Sequence, residues 1–127
     1  MSAPGEVKHK VAGAVDRLAD ELEALSHKIH DNPELCFNED KAHAWLTEFL
    51  EKHGAKVERG VGGLPTAFRA TIEGSGAGPT VAIMAEYDAL PSIGHACGHN
   101  VIATAGTGAG AALAAAPAPC RSRGESR

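Results

Sequence analysis

The sequence predicts an α/β fold, a partial three-layer sandwich in which helices flank a mostly parallel sheet. Two observations lead to this prediction. Apolar residues recur every three or four positions near the N-terminus, as in amphipathic helices, whereas residues 80–85 form an uninterrupted aliphatic run. Such a run is typical of a strand buried in a parallel sheet. At 127 residues the chain has the length of about one domain.

Two helices are predicted in the first half of the chain. The first covers residues 7–29 and ends before Pro33, because the residue that precedes a proline is disfavoured in a helix. The second begins after Asn38 as N-cap and ends at Gly54. Its buried face is predicted to consist of large apolar side chains, namely Trp45, Leu46, Phe49 and Leu50.

Short β-type segments follow the second helix. They lie at residues 55–59 and 66–72 and are separated by a turn at residues 62–65. A second glycine-rich turn, residues 74–79, leads into residues 80–85, which we predict to form a buried parallel strand.

Small side chains dominate residues 100–116, which we predict to form a helix with closely packed neighbours. Each glycine within this segment costs the helix about 1 kcal/mol relative to alanine, so the helix requires tertiary packing. Residues 117–127 have neither apolar periodicity nor a strand pattern. We therefore divide the chain into a folded region at residues 1–116 and a disordered tail at residues 117–127.

The composition restricts the expected partners and compartment. The net charge of -4 arises from 12 basic and 16 acidic residues without a basic cluster, so we expect a small-molecule substrate and no nucleic acid. The 3 cysteines are irregularly spaced, which favours a reducing compartment and a cytoplasmic protein. Residues 101–120 are uncharged but consist mainly of weakly hydrophobic residues, so we expect no membrane segment.

Several metal donors lie close together along the chain. Cys97 precedes His99 by two residues, where residues 80–85 connect to the last helix, and Glu86 and Asp88 follow the same run. Thiolate and imidazole are zinc ligands, and a helix N-terminus and a cation both favour the thiolate. A carboxylate such as Asp88 can accept the second ring N–H of a ligating histidine. The sequence therefore predicts a metal site at this end of the run.

Other polar residues are open to more than one interpretation. His95 is as consistent with a structural hydrogen bond as with a contact to substrate. Glu86 is as consistent with a solvated carboxylate as with a functional one. His30, at a helix end, is interpreted as structural, and Cys36 and Cys120 as thiols without a metal.

Three segments are similar to the N-terminal part of the M20 family of metallopeptidases and amidohydrolases. Residues 30–35 resemble its early His-x-x-Pro-Glu-Leu signature, residues 85–91 its acidic motif, and residues 95–100 its cysteine-containing metal loop. The Glu-Tyr-Asp-Ala-Leu-Pro and Cys-Gly-His-Asn sequences most resemble the branch of dipeptidases and aminobenzoyl-glutamate hydrolases.

The resemblance implies a two-ion centre of zinc or manganese, with Cys97 and His99 as metal ligands and Asp88 as the catalytic carboxylate that orients the site. A metal-activated water would then attack the amide bond of a dipeptide or an N-acylated amino acid. In the family the general base belongs to a later Glu-Glu pair, which the printed sequence does not contain. We therefore expect the truncated N-terminal part of a catalytic domain, inactive alone, with a homodimer only for the complete protein.

Two other functions remain open from the sequence. The chain could be a non-catalytic product of truncation or a frame shift, because an arginine-containing end follows the alanine-rich segment. Alternatively, Cys97 could be the nucleophile of a cysteine hydrolase, activated by His99 or His95.

Overall fold

The fold consists of three helices and a two-stranded sheet in a computed structural model that describes residues 4–74 and 79–115. In chain order the elements are α1 (Pro4–His30), α2 (Asp40–Lys52), β1 (Lys56–Arg59), a 3-10 turn (Val61–Gly63), β2 (Phe68–Thr71) and α3 (His99–Ala115). The predicted helices and short β segments are confirmed, with boundaries that differ by a few residues. The predicted tail at residues 117–127 lies outside the described residues.

The start of α2 differs from the prediction. The N-cap is Glu39 rather than Asn38, and it makes no capping hydrogen bond with its side chain. The carboxylate of Glu34 instead accepts the N–H groups of Lys41 and Ala42 at 3.0 Å. A helix N-terminus has unpaired N–H donors that any nearby acceptor can satisfy. An acceptor from outside the helix therefore performs the capping that we predicted for the adjacent asparagine.

The sheet is antiparallel, which corrects the prediction of a mostly parallel sheet. β1 and β2 pair in the register Lys56 with Thr71 through Arg59 with Phe68. Gly60 and Gly62 in the connection have φ values of 71° and 65°, in the left-handed region that favours glycine. Within the described residues this hairpin is the whole sheet, so a three-layer sandwich is not confirmed.

Residues 80–85 were predicted to form a buried strand, and this prediction is wrong. The segment has no strand structure, and Val81 and Met84 are 75% and 92% exposed. A strand exists only when its backbone groups pair with a neighbour, and no backbone hydrogen bond joins this segment to another described residue. The segment nevertheless packs on α3, since a Cβ added to Gly106 would lie 3.0 Å from the Cβ of Ala85.

The core lies where α3 packs along α1, with α2 and the hairpin closing one side. Its buried residues include Leu25, Ile29, Ala42, Leu46, Phe49, Leu50, Ala55, Ala103 and Ala111. The predicted buried face of α2 is thereby confirmed for three residues, while Trp45 is partly buried and packs against this core. Gly108 permits the close approach of the helices, since an added Cβ would lie 2.7 Å from Cδ1 of Leu22. None of the described helices has the length and hydropathy required to cross a bilayer.

Two glycines of α3 provide a matched test of this packing. Gly110→Ala is expected to raise the free energy of unfolding by about 1 kcal/mol, because alanine favours the helix and nothing lies within 4 Å of the added methyl. Gly108→Ala is expected to lose this gain, or to lower the free energy of unfolding, because its methyl overlaps Leu22. Urea unfolding followed by circular dichroism measures both values. Equal stabilisation by the two substitutions would contradict the described contact between α1 and α3.

Candidate metal centre

His99 occupies the first position of α3, and its ring is held on one side. Nδ1 lies 2.8 Å from Oδ1 and 2.9 Å from the backbone oxygen of Asp88. Both oxygens can only accept a hydrogen bond from the ring, because a carboxylate and a carbonyl carry no proton to donate. The contact therefore favours the tautomer that is protonated at Nδ1 and leaves a lone pair on Nε2. Gly98, with φ of 83°, turns the chain into the helix at this point.

Asp88 is positioned by the backbone on either side of it. The N–H of Ala89 donates to the backbone oxygen of Glu34 at 2.6 Å, and Leu35 and Ala89 form a parallel bridge. Leu90 and Gly94 then exchange backbone hydrogen bonds of 2.9 and 3.1 Å, which close the turn that leads to the metal loop. Thus the segment after α1 holds the acidic motif, and the acidic motif holds His99.

Tyr87 anchors the acidic motif from its opposite side. Its hydroxyl donates to the backbone oxygen of Thr66, and its ring stacks on Phe68 at a centroid distance of 6.0 Å. Successive side chains of an extended segment point in opposite directions. With Tyr87 directed toward β2, the carboxylates of Glu86 and Asp88 both face His99.

Glu86 completes a group of three metal donors. Its Oε2 lies 3.6 Å from Nε2 of His99, and the donor atoms of Glu86, Asp88 and His99 all lie within 4.8 Å of one another. The side chain of His99 is 17% exposed and that of Glu86 is 69% exposed, so the group opens toward solvent. Imidazole and carboxylate are ligands that zinc and manganese both accept. The residues present therefore fit a divalent metal ion.

The sequence-predicted residues are partly brought together. Asp88 and His99 are in contact, whereas Cys97 is an exposed, free thiol outside the group of three donors. The role of Cys97 as a ligand therefore stays a prediction. Cys36 is also free and exposed.

His95 is buried beside this group, with 6% exposure. Neither of its ring nitrogens has a hydrogen-bond partner among the described residues, and its ring centroid lies 6.3 Å from that of His30. Burial lowers the pKa of His95 from its ordinary value, and the nearby positive charges of His30 and His99 lower it further. Since an unpaired buried nitrogen costs about 1–3 kcal/mol, the structural hydrogen bond considered for His95 is not seen here.

Two glutamates were not identified as site residues by the sequence. Glu34 supports Asp88 and α2 together, and Glu39, only 8% exposed, accepts the N–H of Phe37 at 2.8 Å and the hydroxyl of Thr66 at 2.6 Å. The contact to Thr66 joins residues far apart in sequence, which no local pattern reveals. For Glu34 a signal existed, namely its place beside the proline of the His-Asp-Asn-Pro-Glu-Leu segment.

Comparison with known proteins identifies homologues over most of the chain, although no family model matches. Xaa-Arg dipeptidase of Mus musculus is 46% identical over 108 residues, which cover 79% of this chain and 25% of the relative. Thermostable carboxypeptidase 2 of Saccharolobus solfataricus is 37% identical over 109 residues, 75% of this chain and 28% of the relative. One of the polypeptides of the p-aminobenzoyl-glutamate hydrolase of Escherichia coli is 36% identical over 98 residues, 64% of this chain and 20% of the relative.

The chain spans about a quarter of the length of the curated relatives it matches. These relatives are peptidases and amidohydrolases of the M20 type. Over the matched region, the chain therefore belongs to the M20 family, as its three motifs indicated.

Tyr87 allows the surroundings of the acidic motif to be tested, because it is the only tyrosine in the sequence. Burial, and secondly the charge of Glu39, raise the pKa of its phenol above the ordinary value of 10.0. The folded chain then keeps a proton that the unfolded chain releases, so the free energy of unfolding should fall as the pH rises above about 10. Ultraviolet absorbance is expected to show a higher titration midpoint for the native chain than for the chain in urea. Coincident midpoints would contradict the burial of this side chain.

Proposed function

We propose that this member of the M20 family carries part of the active site of a metal-dependent hydrolase that cleaves amide bonds of dipeptides or N-acylated amino acids. The observation that carries this proposal is the contact of 2.8 Å between Asp88 and Nδ1 of His99. A carboxylate that accepts one ring N–H is the usual partner of a metal-ligating histidine, because it fixes the tautomer and raises the basicity of the other nitrogen.

In the proposed site Cys97 and His99 hold a zinc or manganese ion and Asp88 orients His99. When bound, the ion would supply Lewis-acid polarisation of the amide carbonyl and a more acidic water. The protein residues contribute the rest. Asp88 holds a proton at Nδ1, and the backbone hydrogen bond from Ala89 to Glu34 keeps Asp88 in place beside α3.

The names of two relatives support the proposed substrate class. One is called an Xaa-Arg dipeptidase and another a p-aminobenzoyl-glutamate hydrolase, so both names describe a substrate with an amino acid attached to a further group. We extend this class to the present chain, within a cytoplasmic protein that forms a homodimer only when complete.

The same reasoning leads us to propose that the 127-residue chain is inactive alone. Hydrolysis of an amide requires a base that takes a proton from the attacking water. By resemblance that base belongs to a Glu-Glu pair, and the printed sequence contains no such pair. The carboxylates near His99 are Asp88, which is occupied with Nδ1, and Glu86.

The purified chain is therefore expected to hydrolyse no dipeptide, with or without added zinc or manganese. Release of free amino acid from a series of dipeptides, including some with C-terminal arginine, measures this directly. A complete relative assayed in parallel is the positive control. Metal-dependent turnover by the 127-residue chain would contradict the proposed inactivity.

A thiol mechanism is the second candidate, and the exposure of Cys97 favours it because a nucleophile must reach its substrate. It predicts turnover that needs no metal and is lost in Cys97→Ala. Cys36→Ala is the matched control, since Cys36 is also an exposed, free thiol. Absence of metal-independent turnover in the unsubstituted chain would exclude this candidate.

A further inference from the structure

We propose that Glu86 is a metal ligand that shares one ion with Nε2 of His99, while Asp88 stays out of the coordination sphere and holds the ring through Nδ1. This inference rests on the proposed metal-dependent function and adds a ligand to it. The sequence alone left Glu86 open between a solvated carboxylate and a functional one.

The two sides of the His99 ring face carboxylates at different distances. Asp88 lies at hydrogen-bond distance from Nδ1, at 2.8 Å, whereas Oε2 of Glu86 lies 3.6 Å from Nε2, too far for a hydrogen bond. In the tautomer that Asp88 favours, Nε2 and the Glu86 carboxylate are both acceptors. Two lone-pair donors that face each other repel, and a cation between them turns this repulsion into attraction.

The gap between Glu86 and His99 has the length that a shared ion requires. Zinc binds imidazole nitrogen and carboxylate oxygen at about 2.0 to 2.2 Å, so two such ligands at a tetrahedral angle lie about 3.3 to 3.6 Å apart. The separation of 3.6 Å between Glu86 and His99 falls at the upper end of this range. The separation of 2.8 Å between Asp88 and Nδ1 is that of a direct hydrogen bond and leaves no space for an ion.

The backbone supports both carboxylates in this arrangement. Tyr87 is fixed against β2, so its neighbours Glu86 and Asp88 project together toward the start of α3. Glu86 is 69% exposed and Asp88 25% exposed. The shared ion would therefore lie on the solvent side of the ring, where water, substrate or another ligand can complete its coordination.

Titration calorimetry of the whole chain with zinc chloride, and separately with manganese chloride, tests the proposal. Glu86→Gln is expected to weaken zinc binding by about tenfold or more, since it removes a charged ligand while nearly preserving shape. Glu86→Asp keeps the carboxylate and is expected to restore part of the affinity. Glu23→Gln, at an exposed carboxylate of α1, is the matched control and should bind as the unsubstituted chain does.

Circular dichroism establishes that each variant is folded, and His99→Ala and Cys97→Ala separate this inference from the proposed function. Zinc binding that is lost in His99→Ala but unchanged in Glu86→Gln would overturn the role of Glu86 and leave the metal site standing. Equal weakening by Glu86→Gln and Glu23→Gln would show a general charge effect and would also overturn it. If the unsubstituted chain bound neither ion, both the inference and the proposed metal site would fail.

Discussion

Glu34 makes two contacts on which the arrangement of the site depends. Its carboxylate accepts two N–H groups at the start of α2, and its backbone oxygen accepts the N–H of Ala89. A charged acceptor at a helix N-terminus stabilises the helix by about 0.5–2 kcal/mol. The other contact is part of the bridge that fixes the acidic motif. One residue therefore couples the end of α1, the start of α2 and the carboxylate of Asp88.

The position of His99 follows from a second set of contacts, between α3 and α1. Asn100 donates from its side-chain amide to the hydroxyl of Ser26 at 3.0 Å, and Gly108 lets α3 approach Leu22 closely. These contacts set where α3 begins, and its first residue is His99. The ring then meets Asp88 because the acidic motif is held independently by Glu34 and Tyr87. Two supports that arise from different parts of the chain thus determine one distance of 2.8 Å.

Much of this arrangement could be predicted from the sequence, because it depends on local patterns. Apolar periodicity identified the helices, and the order of the motifs identified Asp88 and His99 as members of one site. The strand predicted at residues 80–85 failed for a nonlocal reason, because an aliphatic run forms a strand only beside a pairing partner. The capping role of Glu34 and the contact of Glu39 with Thr66 were missed for the same reason, since each joins separate segments.

Asp88 keeps the proton of His99 on Nδ1 and so presents Nε2 as a donor to metal, and the proposed metal chemistry depends on this tautomer. Long-range proton–nitrogen NMR correlation of the nitrogen-labelled chain at mildly alkaline pH measures it directly, and His99→Gln identifies the His99 signals among the 7 histidines. We expect a protonated Nδ1, an unprotonated Nε2, and a shift of the Nε2 signal when zinc is added. A ring protonated at Nε2, or a zinc-induced shift confined to Nδ1, would contradict the assigned role of Asp88.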